Sequence, residues 1–231
     1  MNDTATVKHR LEGVLDSLEP TPDESGPLVE DFARRLMSRA SSEFLESHSP
    51  GWLAEQVQGA FDLLDGTPAD DISVSVRELP EDAGEFVVQT VMTDRAFIVD
   101  TVREHLHAQG YSIVQLLHPV LRVSRDGEGR VRTVEDREGA GARTSVIFIL
   151  AEGRPDGADC ARLEEELETR LRKVRMATDD FELMLEASHD VSGELEEMGE
   201  WFPWRASELE EMRSFLEWLR DGNFVFLGYR E

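Results

Sequence analysis

Between residues 72 and 175 the spacing of the apolar residues changes in an order that few folds accommodate. Alternation of apolar and polar residues, as at Ile72, Val74 and Val76, predicts a half-buried strand. Apolar residues four positions apart, as at Ile98 and Val102, predict a helix. The predicted order is β-β-α-β-β-α, with strands over 72–76, 86–92, 111–123 and 145–150 and helices over 98–106 and 158–175.

Loop length and one proline predict how these elements are arranged. The loop over 79–84 is too short for a parallel crossover, which needs about a dozen residues, so the first two strands are expected to form an antiparallel hairpin. Pro119 cannot donate to a ladder, which predicts a sheet edge or a bulge there. The apolar run 145–150 predicts a central strand. The fold class is therefore α+β: a ferredoxin-like ββαββα sandwich whose usual last strand comes first, with both helices on one face.

The flanking residues predict helices and a further domain. Residues 1–66 have helical periodicity in three stretches, the second reaching residue 47. The acidic, glycine-containing stretch 189–199 is predicted to be a linker, followed by a helix from residue 207 and a strand over 223–229. The chain stops within this strand pattern and is expected to continue. The expected organisation is a helical segment (1–66), the sandwich domain (67–188), and a linker, helix and start of the next domain (189–231).

Charge and cysteine content limit the partners and the compartment. The 49 acidic residues exceed the 24 basic ones and give a net charge of −25, which repels nucleic acid phosphates and anionic lipids. A solvated acidic surface is favoured over a dedicated cationic partner. The single cysteine, Cys160, and the lack of a signal peptide pattern or an apolar run of about 20 residues predict a cytoplasmic protein.

No residue pattern predicts a catalytic or metal site within the chain. The glycines over 139–142 precede a strand and lack the third glycine of a dinucleotide-binding loop. His105 and His107 are two apart on a predicted helix and point away from each other, so solvated histidines are favoured over a shared metal. Near the start of its helix Cys160 is expected to be a small apolar filler rather than a reactive thiol.

Two places have side chains suited to a small ligand. Asp94 and Arg95 precede the helix that contains Ile98, where free backbone N–H groups and the positive end of the helix dipole favour a carboxylate. The alternative is that Asp94 caps the helix and Arg95 is solvated. His118, beside Pro119, is the other candidate, and a hydrogen bond to loop backbone is its structural alternative.

Three motifs carry a resemblance to a known family. The segment 92–100, Met-Thr-Asp-Arg-Ala-Phe-Ile-Val-Asp, resembles the junction of first strand and first helix in ACT domains, which are ferredoxin-like modules that often bind amino acids. Residues 93–102, followed by His-Pro-Val-Leu-Arg-Val-Ser-Arg-Asp at 118–126 and Phe-Val-Phe-Leu-Gly-Tyr-Arg-Glu at 224–231, are similar to signatures of the large bacterial NAD-dependent glutamate dehydrogenases. The resemblance covers roughly residues 70–231.

The resemblance implies a regulatory or assembly role without catalysis. The complete enzyme would oxidise L-glutamate to 2-oxoglutarate and ammonium and reduce NAD, and no cofactor is expected within this chain. A small-molecule amino-acid effector would bind at Asp94, Arg95, Phe97 and His118. The remaining partners would be the rest of the polypeptide and other subunits of an oligomer.

Two departures from the family pattern leave alternatives open. Ala96 stands in place of the usual proline, and Phe97 stands where ligand-binding ACT domains commonly have a glycine. A bulky side chain at that position hinders the approach of a ligand to the backbone. The alternatives are a free-standing amino-acid-binding sensor and a ligand-free oligomerisation scaffold.

Overall fold

The computed structural model describes residues 3–18, 26–79, 84–136 and 139–223. The chain forms two compact units, residues 1–172 and residues 173–231. In the described ranges there is no helix with the length and apolar character needed to cross a membrane. The expected division into 1–66, 67–188 and 189–231 stays a prediction.

The first unit begins with four helices and then alternates strands and helices as the sequence predicts. Its helices are α1 (Asp3–Asp16), α2 (Gly26–Met37), α3 (Ser42–Ser47), α4 (Pro50–Gly66), α5 (Ile98–Ala108) and most of α6 (Gly157–Thr178). Its strands are β1 (Ser73–Glu78), β2 (Glu85–Thr93), β3 (Ser112–Leu117), β4 (Val120–Arg125), β5 (Val131–Glu135) and β6 (Ala142–Glu152).

The predicted second helix is in fact two helices. α2 ends at Met37, and α3 starts anew at Ser42, because the Ser41 hydroxyl accepts a hydrogen bond from the backbone N of Phe44 at 3.2 Å. Apolar residues continue through Phe44 and Leu45, so periodicity alone did not reveal the break.

All six strands form one antiparallel sheet with β6 at its centre. The order is β1-β2-β6-β4-β5, and β3 pairs with β6 on the same side as β4. The central position predicted for residues 145–150 is confirmed, since β6 has neighbours on both sides. β1 and β2 are antiparallel neighbours as predicted, and residues 80–83 of their connection lie outside the described residues.

The third predicted strand is interrupted at Pro119, as its ring requires. β3 and β4 lie before and after His118 and Pro119, and both pair with β6. The carbonyl of Pro119 still accepts a hydrogen bond from the N–H of Val146 at 3.2 Å. The predicted edge position was wrong for β4, because β5 (Val131–Glu135) pairs with its outer side.

The sheet is covered on both faces. Val146, Phe148 and Leu150 of β6 belong to the same buried cluster as apolar residues of α2 and α4. Ile147 and Ile149 point the other way because side chains alternate along a strand, and they are also fully buried. On that second face lie the two predicted helices, where Glu164 of α6 accepts a hydrogen bond from the N–H of Val76 at 2.8 Å. Residues 1–66 thus contribute to the core of the sheet.

The second unit is a pair of packed helices, α7 (Phe181–Trp201) and α8 (Ala206–Trp218), joined by a 3₁₀ turn (Pro203–Arg205). The linker predicted over 189–199 was wrong, because these residues lie within α7. Ser188 and Ser192 face Arg220, whose Nη1 donates to the carbonyl of Ser188 at 2.7 Å and to the Ser192 hydroxyl at 2.8 Å. These contacts stabilise a helix at residues 189–199, where the acidic residues and glycines suggested a linker. Of the predicted final strand, Asn223 ends a π-helical turn, and residues 224–229 lie outside the described residues.

The shared core predicts that α4 and the sheet unfold together. Leu53 of α4 is fully buried, and Leu53→Ala should lower the free energy of unfolding by about 2–5 kcal/mol. Amide hydrogen exchange should show the loss of protection in β2 and β6 as well as in α4. The exposed Leu183→Ala should leave these amides unchanged. Loss of protection confined to residues 3–66 would contradict the shared core.

Candidate functional site

The turn between β2 and α5 holds three of the four predicted ligand-binding residues. β2 ends at Thr93, and α5 begins at Ile98. The helix cap expected of Asp94 was wrong, because Phe97 occupies the N-cap position and its side chain cannot accept a hydrogen bond. Asp94 is bound to β6 instead: its carboxylate lies 2.5 Å from Nη2 of Arg143, and its N–H donates to the carbonyl of Arg143 at 2.9 Å.

Phe97 adopts a backbone conformation that favours glycine. Its φ is 70°, and it is the only residue besides glycines with a positive φ in the described part of the chain. A left-handed conformation costs a residue with a Cβ roughly 1–2 kcal/mol. This is the position at which the resemblance expects glycine. The Phe97 side chain is 39% exposed.

His118 lies beside the same end of β6. Its Nε2 is 2.8 Å from the hydroxyl of Ser145, which is fully buried. The sequence suggested a hydrogen bond from His118 to loop backbone and did not indicate this side-chain partner. Arg143 and Ser145 are two residues apart on one strand, so they lie on the same face of the sheet.

The structure thus places Asp94 against Arg143 and His118 against Ser145, two residues on the same face of β6. Met92, at the end of β2, pairs directly with Ser145, and Thr93 pairs with Thr144. Arg95 is half-buried in the turn that follows. The group offers an imidazole and a carboxylate–guanidinium pair, which suit hydrogen bonding to a small polar ligand, whereas the hydroxyl of Ser145 is buried against His118. The sequence did not predict Arg143 and Ser145 as partners of Asp94 and His118. Strand register decides which residues of β6 lie beside them, and a single sequence does not give that register.

The glycine loop before β6 has its amides engaged by the protein. The N–H of Ala140 donates to Oε2 of Glu135 at 2.9 Å, and Gly139 lies against the same side chain. Gly141 has a φ of 104°, and a Cβ there would lie 2.5 Å from the carbonyl oxygen of Val123. These glycines therefore serve close backbone packing next to β4.

His105 is a buried histidine, which corrects the expectation that it is solvated. It is 3% exposed, and its Nε2 lies 3.0 Å from Oε2 of Glu166 on α6. Burial lowers the pKa of His105, as does Arg170, while Glu166 opposes the shift. The spacing could have shown this, because position 105 is three residues after Val102 and shares its apolar face. His107 is exposed, as expected.

The remaining candidate groups are structural. Cys160 is buried, and burial raises the pKa of its thiol, which fits the expected apolar filler. Across the described ranges, no cluster of three or more histidine, cysteine, aspartate or glutamate side chains is arranged to hold a metal ion.

The lowered pKa of His105 predicts a pH dependence of stability. The unfolded chain takes up a proton at about pH 6.5, whereas the folded chain does so only at lower pH. The free energy of unfolding should therefore fall as the pH is lowered from 7.5 through 6.5 towards the folded-state pKa. His105→Gln should remove this component in urea titrations across pH, and His107→Gln should retain it. Identical pH profiles for the two variants would contradict the assignment.

The conformation of Phe97 predicts an unusual effect of glycine. Phe97→Gly and Phe97→Ala remove the same aromatic contacts, but only glycine adopts a φ of 70° without strain. In urea unfolding the glycine variant should be more stable than the alanine variant by about 1 kcal/mol. Equal stabilities would show that the turn relaxes and that the backbone is unstrained.

The sequence of the chain is similar to those of glutamate dehydrogenases. The family model described as "Glutamate dehydrogenase, ACT1 domain" matches residues 32–167. An NAD-specific glutamate dehydrogenase of Pseudomonas aeruginosa is 28% identical over 98% of the chain and 14% of its own length. Enzymes with the same name from Halomonas elongata and Mycobacterium tuberculosis are 35% and 27% identical over 60% and 62% of the chain. The chain covers 9% of each of these two.

Proposed function

Because the chain belongs to the glutamate dehydrogenase ACT1 domain family, we propose that it is the regulatory and assembly segment of a long NAD-dependent glutamate dehydrogenase. The family resemblance drawn from residues 93–102 and 118–126 is confirmed, and both motifs lie within the matched range 32–167. That range begins in α2, so the N-terminal helices carry more of the likeness than the sequence motifs indicated.

The strand order supports an ACT-like ββαββα sandwich. In the permuted ferredoxin-like arrangement, the first two strands form a hairpin, and the fourth lies between the second and the third. The observed order β1-β2-β6, with β3 and β4 beyond β6, has this form once β3 and β4 are counted as one interrupted strand. The four N-terminal helices and β5 are additions to it.

The reaction belongs, in this proposal, to the rest of the long polypeptide. The relatives are named NAD-specific glutamate dehydrogenases, and the chain spans 14% of the length of the one from Pseudomonas aeruginosa. The complete enzyme would convert L-glutamate and NAD to 2-oxoglutarate, ammonium and NADH, with NAD bound outside this chain. This chain would contribute contacts with the rest of the enzyme and would respond to an amino-acid effector.

The exposed aromatic side chains of the second unit are the observation that carries the assembly role. Trp201 is 77% exposed and Trp204 76% exposed, and several large apolar side chains near them in the sequence are exposed as well, a feature typical of interaction surfaces. We call the following residues the aromatic surface: Met198, Trp201, Phe202, Trp204, Met212, Phe215 and Trp218. Aromatic residues and methionine are enriched at protein interfaces, where they supply most of the buried apolar area.

The partner of the aromatic surface is proposed to be the remainder of the same long polypeptide. A second copy is disfavoured by charge, because each chain carries a net charge of −25 and two copies repel each other. The part of the polypeptide outside this chain is several times longer in the relatives, and it is tethered at high effective concentration.

The regulatory role is proposed for the β2–α5 turn. An amino-acid effector there would meet the carboxylate–guanidinium pair of Asp94 and Arg143, and His118, whose imidazole is held by the buried hydroxyl of Ser145. Arg95 and Phe97 lie in the same turn and would limit access from the solvent side. A ligand that orders this turn would stabilise the folded state. The effect of binding would be transmitted along α5 and β6, the two elements that the turn contacts.

Substitution of the aromatic surface in two contexts tests the assembly proposal. In the chain by itself, Trp201→Ser combined with Trp204→Ser should leave the melting temperature unchanged, because both side chains are already solvated. In the long enzyme the same change should remove about 2–3 kcal/mol of apolar burial per side chain and lower the melting temperature. Calorimetry of both proteins makes the comparison.

Val114→Ser is the matched control, since Val114 is an exposed apolar residue of β3 outside the aromatic surface. It should behave alike in the two proteins. A double tryptophan variant with equally small effects in both would refute the proposal. Concentration-dependent dimers of the chain by itself, lost in the double variant, would identify a second copy as the partner instead.

A further inference from the structure

A cleft of about 600 Å³ is lined by α4, by Arg77 of β1 and by Ser17, the residue after α1, and none of its lining residues belongs to the β2–α5 turn. Its volume is within the range of small-molecule sites. Its lining combines one cation with two carboxylates, an amide and two glycines. The residues on which the argument depends are Glu55, Gln58, Gly59, Asp62 and Arg77.

Arg77 lines the cleft, and its guanidinium has no acidic partner among the residues that the structure describes. Nη2 donates to the side-chain carbonyl of Gln56 at 2.7 Å, and Gln56 is fully buried between α4 and the sheet. Within the described ranges no carboxylate lies within 4 Å of the Arg77 nitrogens, although the chain has an excess of 25 negative charges. A neutral amide orients the guanidinium and leaves its charge available to a carboxylate.

Two amides of α4 have buried atoms that need a hydrogen-bond partner, and one of the two, Gln58, lines the cleft. Nε2 of Gln56 and Oε1 of Gln58 are buried, and neither has a partner among the described residues. The other end of the Gln58 amide is fixed, because its Nε2 donates to Asp62 at 2.8 Å. One donor and one acceptor are therefore left unmet, and groups of this kind are costly to bury.

Gly59 leaves the polar groups accessible from the cleft. It lies in the interior of α4, where glycine weakens a helix relative to alanine. A Cβ there would approach no atom closer than 3.7 Å, so packing does not require glycine. The nearest atoms to such a Cβ are Nη2 of Arg77 and the side-chain amide of Gln89. A larger side chain at this position would therefore cover the guanidinium.

The opposite charge is supplied by α4 itself. Glu55 and Asp62 both line the cleft and are exposed, and Glu55 forms no ion pair with any described residue. A ligand that satisfies the lining needs a carboxylate for Arg77 and a positively charged donor for Glu55, Asp62 and Oε1 of Gln58. We infer that this cleft binds a small zwitterion of the amino-acid class, at a site separate from the β2–α5 turn.

Nuclear magnetic resonance titration of the chain tests this inference. Individual L-amino acids are the probes, with acetate and ethylammonium as half-ligands that carry one charge each. At least one amino acid should shift the amide signals of Gly51 and Gly59 in a saturable manner. Each half-ligand should bind at least tenfold more weakly. Inorganic phosphate binding as tightly as the amino acid would overturn the zwitterion assignment and leave a general anion site.

Variants of the lining assign the binding to the cleft. Arg77→Met, which retains most of the aliphatic stem, and Gly59→Leu, which fills the space before Arg77, should each weaken binding at least tenfold. Gly66→Leu is the matched control, because Gly66 lies on the same helix with no atom within 4 Å of an added Cβ. If Arg77→Met destabilises the fold, Gly59→Leu still tests the cleft, because it leaves Arg77 in place. Binding unchanged in both cleft variants, or lost on Arg143→Met instead, would overturn the inference.

Discussion

The burial of β6 on both faces is the constraint on which the rest of the first unit depends. Its alternate side chains are buried beneath the N-terminal helices on one side and beneath α5 and α6 on the other. A strand of this kind has no solvent-facing side chains along its central residues, which explains its unbroken apolar run. Its start carries Arg143 and Ser145, so the core strand also positions Asp94 and His118.

The sequence predicted the elements whose pattern is local. The period-2 and period-3.6 segments, the central place of residues 145–150 and the interruption at Pro119 all follow from side-chain spacing or from a missing N–H. What failed depends on contacts between distant residues. The glycines and acidic residues of 189–199 predict a linker, but packing against α8 and the Arg220 contacts with Ser188 and Ser192 stabilise a helix.

The candidate sites show the same limit. Asp94, Arg95 and Phe97 were found because they are adjacent in the sequence, whereas Arg143 and Ser145 enter through strand register. The cleft beside α4 was not predicted at all, because Glu55, Gly59 and Arg77 meet only when α4 lies across β1. His105 was misjudged although its position on the apolar stripe of α5 was visible in the sequence.

We propose that the aromatic surface of this segment is covered by the rest of a much longer enzyme. Hydroxyl-radical footprinting of Trp201 and Trp204, read by mass spectrometry, tests it most directly. Both side chains should be oxidised rapidly in the chain by itself, because they are exposed, and should be strongly protected in the long glutamate dehydrogenase. Equal oxidation rates in the two proteins would contradict it, because the aromatic surface would then have no partner in the enzyme.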